Sequence, residues 1–360
     1  MLKKVVIGMS GGVDSSVAAW ILKEQGYNVL GIFMKNWEDD SSKYCSTRQD
    51  FLDAVSVAET IGIDFDVVNF SKEYIDEVFN IFLNEYNQGR TPNPDILCNS
   101  TIKFKAFLNY ALNIGADYIA TGHYARIKKY QENNQIKFNL LKALDQNKDQ
   151  SYFLCQLNQE QLSKIIFPLG ELTKKEVRVL ANKIGLHNAN KKDSTGLCFI
   201  GERPFNEFLG KFIKINKGDI FDIYNNKIGV HNGVSFYTIG QRKGLGIGGS
   251  NKYTNDAWYV AKKDIKNNII YAVQGHNHPW LLSNHLTTKN VSWIAGVLPD
   301  INKIYTAKNR YRHKDEECYL SIESEDKFIL HFNQPQWAIT PGQYAVIYDG
   351  EICIGGGTIV

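Results

Sequence analysis

The chain is short of several things, and each shortage excludes a class of protein. Its 360 residues hold 8 prolines, 3 methionines and 6 cysteines. The cysteines form no Cys-x-x-Cys pair and no His/Cys spacing suited to structural zinc. No apolar stretch approaches the roughly 18 residues that a membrane helix needs. Met1-Leu2-Lys3-Lys4 runs directly into a strand-like segment, so no signal peptide is expected. Charge of one sign is scarce too: 41 Lys and Arg against 38 Asp and Glu leave +3, too little to announce a nucleic-acid partner without a local cluster. A cytoplasmic, non-membrane protein is expected. Its cysteines are then not a disulfide framework, and most should be small buried hydrophobes.

What is present reads as an ordinary globular composition, 43% hydrophobic and 22% charged, in a chain long enough for two or three domains. The first half alternates strand and helix. Val5 to Gly8 leads to a helix reaching Gln25, Val29 to Met34 is the next strand, and a helix from Asp50 to Ile61 precedes a third strand at Asp64 to Val68. Lys103 to Asn113 suggests another helix, and Tyr118 to Gly122 a fourth strand. This rhythm predicts βαβ units around a parallel sheet. After about residue 205, Asn-rich turn signals separate short β-rich runs, and the last ninety residues are strand-rich, ending in a hairpin around Asp349-Gly350. The expected architecture is α/β: an N-terminal parallel-sheet domain over 1–205, a small β-rich domain over 206–272 and a C-terminal β-barrel over 273–360.

Ser10-Gly11-Gly12-Val13-Asp14-Ser15 stands between the apolar run Val5-Val6-Ile7 and the helix that starts near Ser16. Paired glycines let successive N–H groups converge on an anion at the positive end of a helix. The two serines add hydroxyl donors, and Asp14 could orient a metal ion that accompanies phosphates. The loop is neither a Walker loop nor Gly-x-Gly-x-x-Gly. Gly244 to Gly249 does satisfy the latter spacing, yet Ser250 to Asp256 is turn-like, so no dinucleotide site is expected there. Ligands of parallel sheets lie beyond the strands' carboxyl ends, where the Ser10 loop, Met34 and Gly122-His123 all fall.

Among Cys45, Cys98, Cys155, Cys198, Cys318 and Cys353, two stand in unusual surroundings. Cys98 follows Thr91-Pro92-Asn93-Pro94-Asp95, where two prolines stiffen the approach and a helix should begin soon after the thiol, favouring thiolate. Cys198 lies in Asp193-Ser194-Thr195-Gly196-Leu197-Cys198-Phe199-Ile200-Gly201. On chemistry alone, a reactive and an inert buried role stay open for both.

Ser-Gly-Gly-x-Asp-Ser resembles the pyrophosphate loop of the N-type ATP pyrophosphatases. Together with Thr91 to Asp95, Cys98-Asn99, Ala120 to Ala125, Lys148 to Leu154, Asp193 to Gly201 and Thr238 to Gly246, the whole chain resembles the bacterial tRNA-specific 2-thiouridylases. Those enzymes replace the C2 oxygen of the wobble uridine with sulfur. The resemblance implies ATP, accompanied by magnesium, as co-substrate at Gly8, Met9, Ser10, Gly11, Gly12, Val13, Asp14, Ser15, Met34 and Gly122. It implies target-base contacts at Asn93, Pro94 and Asp95, and tRNA contacts at His123, Lys148, Asp149, Gln150, Arg310, Tyr311 and Gln343. Cys198 would be the persulfide carrier, Cys98 its partner and Asp95 an acid or base. A persulfide donor, either a cysteine desulfurase or a sulfur-relay protein, would be needed.

Each of these residues also has a plainer reading. Met34 and Trp37 suit a core or an adenine shelf, His123 a structural histidine, and Lys148 to Gln150 a solvated turn. With no third cysteine near Cys98, an iron–sulfur cluster is disfavoured. Two rival functions remain on sequence alone: another adenylating enzyme of the same ATPase class, which would need an ammonia-producing or rhodanese-like domain, and a tRNA-binding protein with a relict ATP site.

Overall fold

The computed structural model describes residues 2–37, 47–193, 204–248, 254 and 256–360. The first strands are β1 (Lys4–Gly8), β2 (Asn28–Lys35), β3 (Asp64–Asn69) and β4 (Tyr118–Ala120). A hairpin follows, β5 (Arg126–Glu132) and β6 (Gln135–Leu141), and then the short β7 (Ile165–Ile166). Five of these strands make a parallel sheet in the order β3-β2-β1-β4-β7. The alternation in β1 explains why helices cover both faces. Val5 and Ile7 pack with helices α1 (Val13–Glu24) and α2 (Thr47–Ile61), whereas Val6 packs with Phe104 and Phe107 from the opposite side.

Of two helical runs on that second face, the sequence rhythm missed one and caught only the later part of the other. One covers 71–87 and the other 94–113, and each contains a π-helical stretch, Ile75–Phe79 and Cys98–Ala106. The second run corrects the expectation for Cys98. Its helix starts before the thiol, at Pro94, because Asn93 accepts the Ile96 N–H at 3.3 Å and Pro94 occupies the first helical position. Cys98 therefore lies a full turn inside the helix, and its N-terminal dipole is not aimed at the sulfur.

The central part holds β8 (Gly218–Phe221), β9 (Lys227–His231), β10 (Trp258–Asp264) and β11 (Ile269–Gln274), ordered β10-β11-β8-β9. The last part holds β12 (Leu282–Trp293), β13 (Ile304–Lys308), β14 (Glu316–Ser324), β15 (Lys327–Trp337), β16 (Tyr344–Asp349) and β17 (Ile352–Ile359). These six antiparallel strands close on themselves through the β12–β17 pairing, which leaves no free edge between first and last.

The hairpin β5–β6 crosses from one domain to another. Leu140 and Leu141 pair with Cys353 and Ile352 of β17, so a segment within the N-terminal 205 residues extends the C-terminal sheet. Tyr344, Val346, Tyr348 and Cys353 consequently share a core with Val6, Phe107 and Tyr152.

Candidate active site

The phosphate loop takes the shape its composition requires. Gly11 lies at φ +71° with its α-carbon against the backbone of Asp50. Gly12 caps α1 without any side-chain help, leaving the first N–H groups of the helix for a ligand. The serines hold the loop together: Ser15 Oγ accepts the Ser10 N–H at 3.1 Å, and Ser16 Oγ donates to Gly12 O at 2.9 Å. From the far side, Asn188 Nδ2 donates to Gly11 O at 3.1 Å and to Ser16 Oγ at 3.0 Å. Lys191 Nζ reaches Asp50 at 2.7 Å and Asp53 at 2.5 Å.

The loop follows β1, which is flanked by β2 and β4, and so stands at the switch point of the sheet. Met34, near the end of β2, lies beside Gly8: a β-carbon there would come 2.9 Å from Met34 Cε. Gly122, just past β4, touches the loop directly. A β-carbon on it would meet Ser15 N at 2.7 Å and the Asp14 carbonyl carbon at 2.9 Å. The ends of β1, β2 and β4 thus bring Gly8 beside Met34 and Gly122 against the loop, while Met9 and Val13 are buried in the core beneath it.

Asp14 behaves differently from expectation. Lys174 Nζ sits 2.7 and 2.8 Å from its two oxygens, and Tyr124 Oη donates to it at 2.7 Å. Its carboxylate is therefore already neutralised. Among the described residues there is no group of three or more His, Cys, Asp or Glu able to hold a metal ion. Lys174 also contacts Asp193 at 2.7 Å, and Asp193 is shared with Lys148 at 2.6 Å and Arg178 at 3.2 Å. Lys174 escaped the sequence reading because no local motif surrounds it; Tyr124 and Asp193 stand inside quoted motifs, but their partners lie far away in the chain.

The next residue along from Gly122 connects this crevice to the Cys98 helix. His123 is 8% exposed, sits against Phe104 and Phe167, and shares a 2.7 Å hydrogen bond between Nδ1 and Thr121 Oγ1. Burial, reinforced by Lys103, holds its pKa well below the usual 6.5, so it is neutral at physiological pH. Lys103 acts on Asp95 as well. Burial pushes the Asp95 carboxyl upward, and Lys103 pulls it partly back. Asp95 and Cys98 are one turn apart, on the same helix face. Lys103 is another residue whose role sequence reasoning missed; its distance from Asp95 along the chain hid the pairing.

Cys98 is 4% exposed. Its neighbour Asn99 donates through Nδ2 to Phe153 O at 3.1 Å, while Asn99 Oδ1 is buried without a hydrogen-bond partner. Phe153 packs against Tyr311 with ring centroids 4.3 Å apart and the planes tilted by 45°. Burial raises the Tyr311 phenol pKa, and the charges of Asp149 and Asp95 add to the rise, which places this barrel residue in the field of the Asp95 site. Cys155, Cys318 and Cys353 are buried and their thiol pKa values are pushed up by burial, that of Cys318 to about 12, as expected of inert cysteines. Cys198, Cys45 and the Ser194 to Gly201 motif lie outside the described residues.

The residues implied as tRNA contacts have partners within this chain. Lys148 pairs with Asp193 and His123 with Thr121, and Tyr311 packs on Phe153. Asp149, Gln150, Arg310 and Gln343 likewise spend polar atoms on this chain. Asp149 is 3% exposed and accepts from Ala143 N, Ser151 N and Ser151 Oγ. Gln150 Oε1 accepts the Tyr124 N–H at 3.0 Å. Arg310 Nη2 donates to Ile239 O, Ala338 O and Thr340 Oγ1, and Gln343 Nε2 donates to Thr91 O at 2.8 Å.

Profile comparison matches residues 3–202 to the "tRNA methyl transferase HUP domain", 206–274 to the "tRNA methyl transferase PRC-barrel domain" and 283–359 to the "Aminomethyltransferase beta-barrel domain". The chain is 60% identical to the tRNA-specific 2-thiouridylase MnmA of Bordetella petrii, covering 99% of this chain and 96% of that one. It is 59% identical to that of Polynucleobacter asymbioticus, with the same two coverages, 99% and 96%, and 58% identical to that of Cupriavidus necator, with 99% and 98% covered. Similarity at this level over essentially the whole length shows that the chain belongs to the tRNA-specific 2-thiouridylase family.

Proposed function

We propose that this protein is a cytoplasmic, ATP-dependent tRNA-uridine 2-sulfurtransferase acting on the wobble position. The observation that carries the reading is that the chain just past β4 sets Gly122 against the phosphate loop and His123 against Phe104 of the Cys98 helix. Such an arrangement can bind a nucleotide triphosphate beside a half-buried carboxylate that meets a base.

The chemistry requires both halves. The C2 carbonyl of uracil is a poor electrophile because oxide is a poor leaving group. Attack of the C2 oxygen on the α-phosphorus of ATP expels pyrophosphate into the glycine loop and turns that oxygen into part of an AMP leaving group. The outer sulfur of a Cys198 persulfide then adds to C2, and AMP departs with the oxygen. Cys98 thiolate attacks the Cys198 sulfur, which frees the 2-thiocarbonyl and leaves a Cys98–Cys198 disulfide for an external thiol to reduce. In the alternative order, Cys98 first releases sulfide from the persulfide, and sulfide displaces AMP. Asp95 serves as the acid or base beside a uracil turned out of the anticodon stack. Asn93 and Pro94 face the same base; Lys148 and Tyr311 contact the RNA around it. The sulfur itself comes from a separate persulfide donor.

The test is reconstitution with ATP, unmodified tRNA and a persulfide donor, with nucleosides resolved by mass spectrometry. Cys198→Ser should abolish 2-thiouridine while tRNA affinity persists. An undiminished yield in that variant would overturn the persulfide assignment.

A further inference from the structure

Thr91, in the N-terminal domain, is gripped from both other domains at once. Its N–H donates to Pro341 O at 2.9 Å, and its carbonyl accepts from Gln343 Nε2 at 2.8 Å, both from the barrel. Its hydroxyl lies 3.1 Å from that of Thr238 in the central domain. Gly342 backs directly onto it. At φ +92° this residue occupies the left-handed region, and a β-carbon would stand 2.9 Å from Thr91 C and O and 3.0 Å from its N. Arg310 fastens the other two parties together, joining Ile239 O of the central domain to Ala338 O and Thr340 Oγ1 of the barrel.

From Thr91 to Asp95 the chain has almost no slack. Pro92 and Pro94 have fixed φ, both are buried, and the Asn93 side chain closes on the Ile96 N–H. Gln343 reaches Pro92 O as well, at 3.3 Å. A displacement of the barrel therefore arrives at Asp95 and Cys98 undamped.

We propose that this three-domain grip positions the Asp95–Cys98 helix for catalysis, with Thr91, Gly342 and Gln343 as its positioning residues. The proposal rests on the sulfurtransferase reading of Asp95 and Cys98. It gives the barrel a task besides holding RNA: the barrel sets where the base-facing helix enters the crevice. It also assigns the Gln343 amide to the Thr91 carbonyl rather than to tRNA alone. The phosphate loop hangs from β1 and α1 and takes no part in the grip.

The test uses Gly342→Ala in the full chain, where the added methyl must push Thr91 away. ATP affinity should stay within about twofold and tRNA affinity within about threefold, while single-turnover 2-thiouridine formation at saturating ligands falls roughly 10- to 100-fold, the cost of misplacing a catalytic group by an ångström. Hydrogen exchange at the Thr91 amide should accelerate, and the acid limb of the pH–rate profile should move, since the burial of Asp95 changes. Thr91→Val, which keeps the shape but removes the hydroxyl that meets Thr238, serves if Gly342→Ala does not fold, and should reproduce the split between intact binding and slow chemistry. A full rate with Thr91 exchange accelerated overturns the proposal. So does unaltered exchange, or a loss confined to tRNA affinity. Absence of 2-thiouridine from the wild-type protein would instead defeat the functional reading, while the exchange measurement would still report on the grip.

Discussion

Asp95 is pulled in two directions, since burial favours its protonated form and the Lys103 ammonium favours the carboxylate. Removing the cation by Lys103→Met leaves burial unopposed, so the Asp95 pKa rises further. If the ionised form is required, the acid limb of thiolation moves to higher pH, as a rate profile from about pH 5 to 8 would show; an unmoved limb would remove Asp95 from that step. The same shift has a stability sign. A carboxyl whose folded pKa exceeds its unfolded value binds its proton more tightly in the folded state, so its contribution is present at low pH and is lost as pH rises through the raised value. Asp95→Asn is therefore expected to abolish thiolation yet raise the thermal midpoint at pH 7, a trade common where a site is built against stability. A lowered midpoint would contradict the burial argument. His123 supplies no titration near 6.5, because burial keeps it neutral; its ring protons should show no shift between pH 6 and 8 in NMR spectra.

At the scale of the element, the junction of β4 with α1 is the closest fit in the nucleotide crevice. Gly122→Ala forces a methyl against Ser15 N and the Asp14 carbonyl carbon, backbone atoms that move only if the helix N-terminus moves. Overpacking of this kind costs about 1–3 kcal/mol, and here it falls on the N–H groups that receive phosphate. ATP affinity measured calorimetrically should drop while the tRNA affinity of the nucleotide-free protein does not; equal ATP binding by the variant would show that the loop can retreat without cost. The Cys98–Ala106 stretch belongs to the same scale. Its π-helical winding is a feature that often accompanies functional positions, and the sequence gives no propensity signal for it, which is why a helix beginning near Lys103 was the natural expectation.

For the whole molecule, the pairing of β6 with β17 makes the N-terminal part dependent on the barrel. Tyr152 Oη donates to Tyr344 O at 3.0 Å, Lys142 pairs with Asp315 at 2.7 Å, and Leu140 lies in a core completed by Val346 and Cys353. A fragment spanning 1–205 would expose that surface and an unpaired strand edge. It should aggregate or lose its near-ultraviolet dichroism, as size-exclusion chromatography and dichroism would reveal. A monodisperse fragment with native dichroism would mean that the domains are independent. Acid should weaken the assembly as well. Burial opposes ionisation of Asp315, yet its bonds to Lys142 and Thr306 hold its pKa below the usual range, so its contribution is present above the unfolded value and lost as pH falls through the lowered one.

What the sequence by itself determined is what short-range chemistry can encode. The glycine–serine loop after an apolar strand, the βαβ rhythm and the Asp349-Gly350 hairpin each depend on residues within a few positions of one another. What only the tertiary structure decided are the partnerships between segments far apart in the chain: Lys174 on Asp14, the barrel's Gln343 on Thr91, and β6 on β17. Those contacts carry no local pattern, because a salt bridge, an amide bond or a strand pairing across 160 residues or more is specified by how the domains pack and not by which residues neighbour each other in the chain.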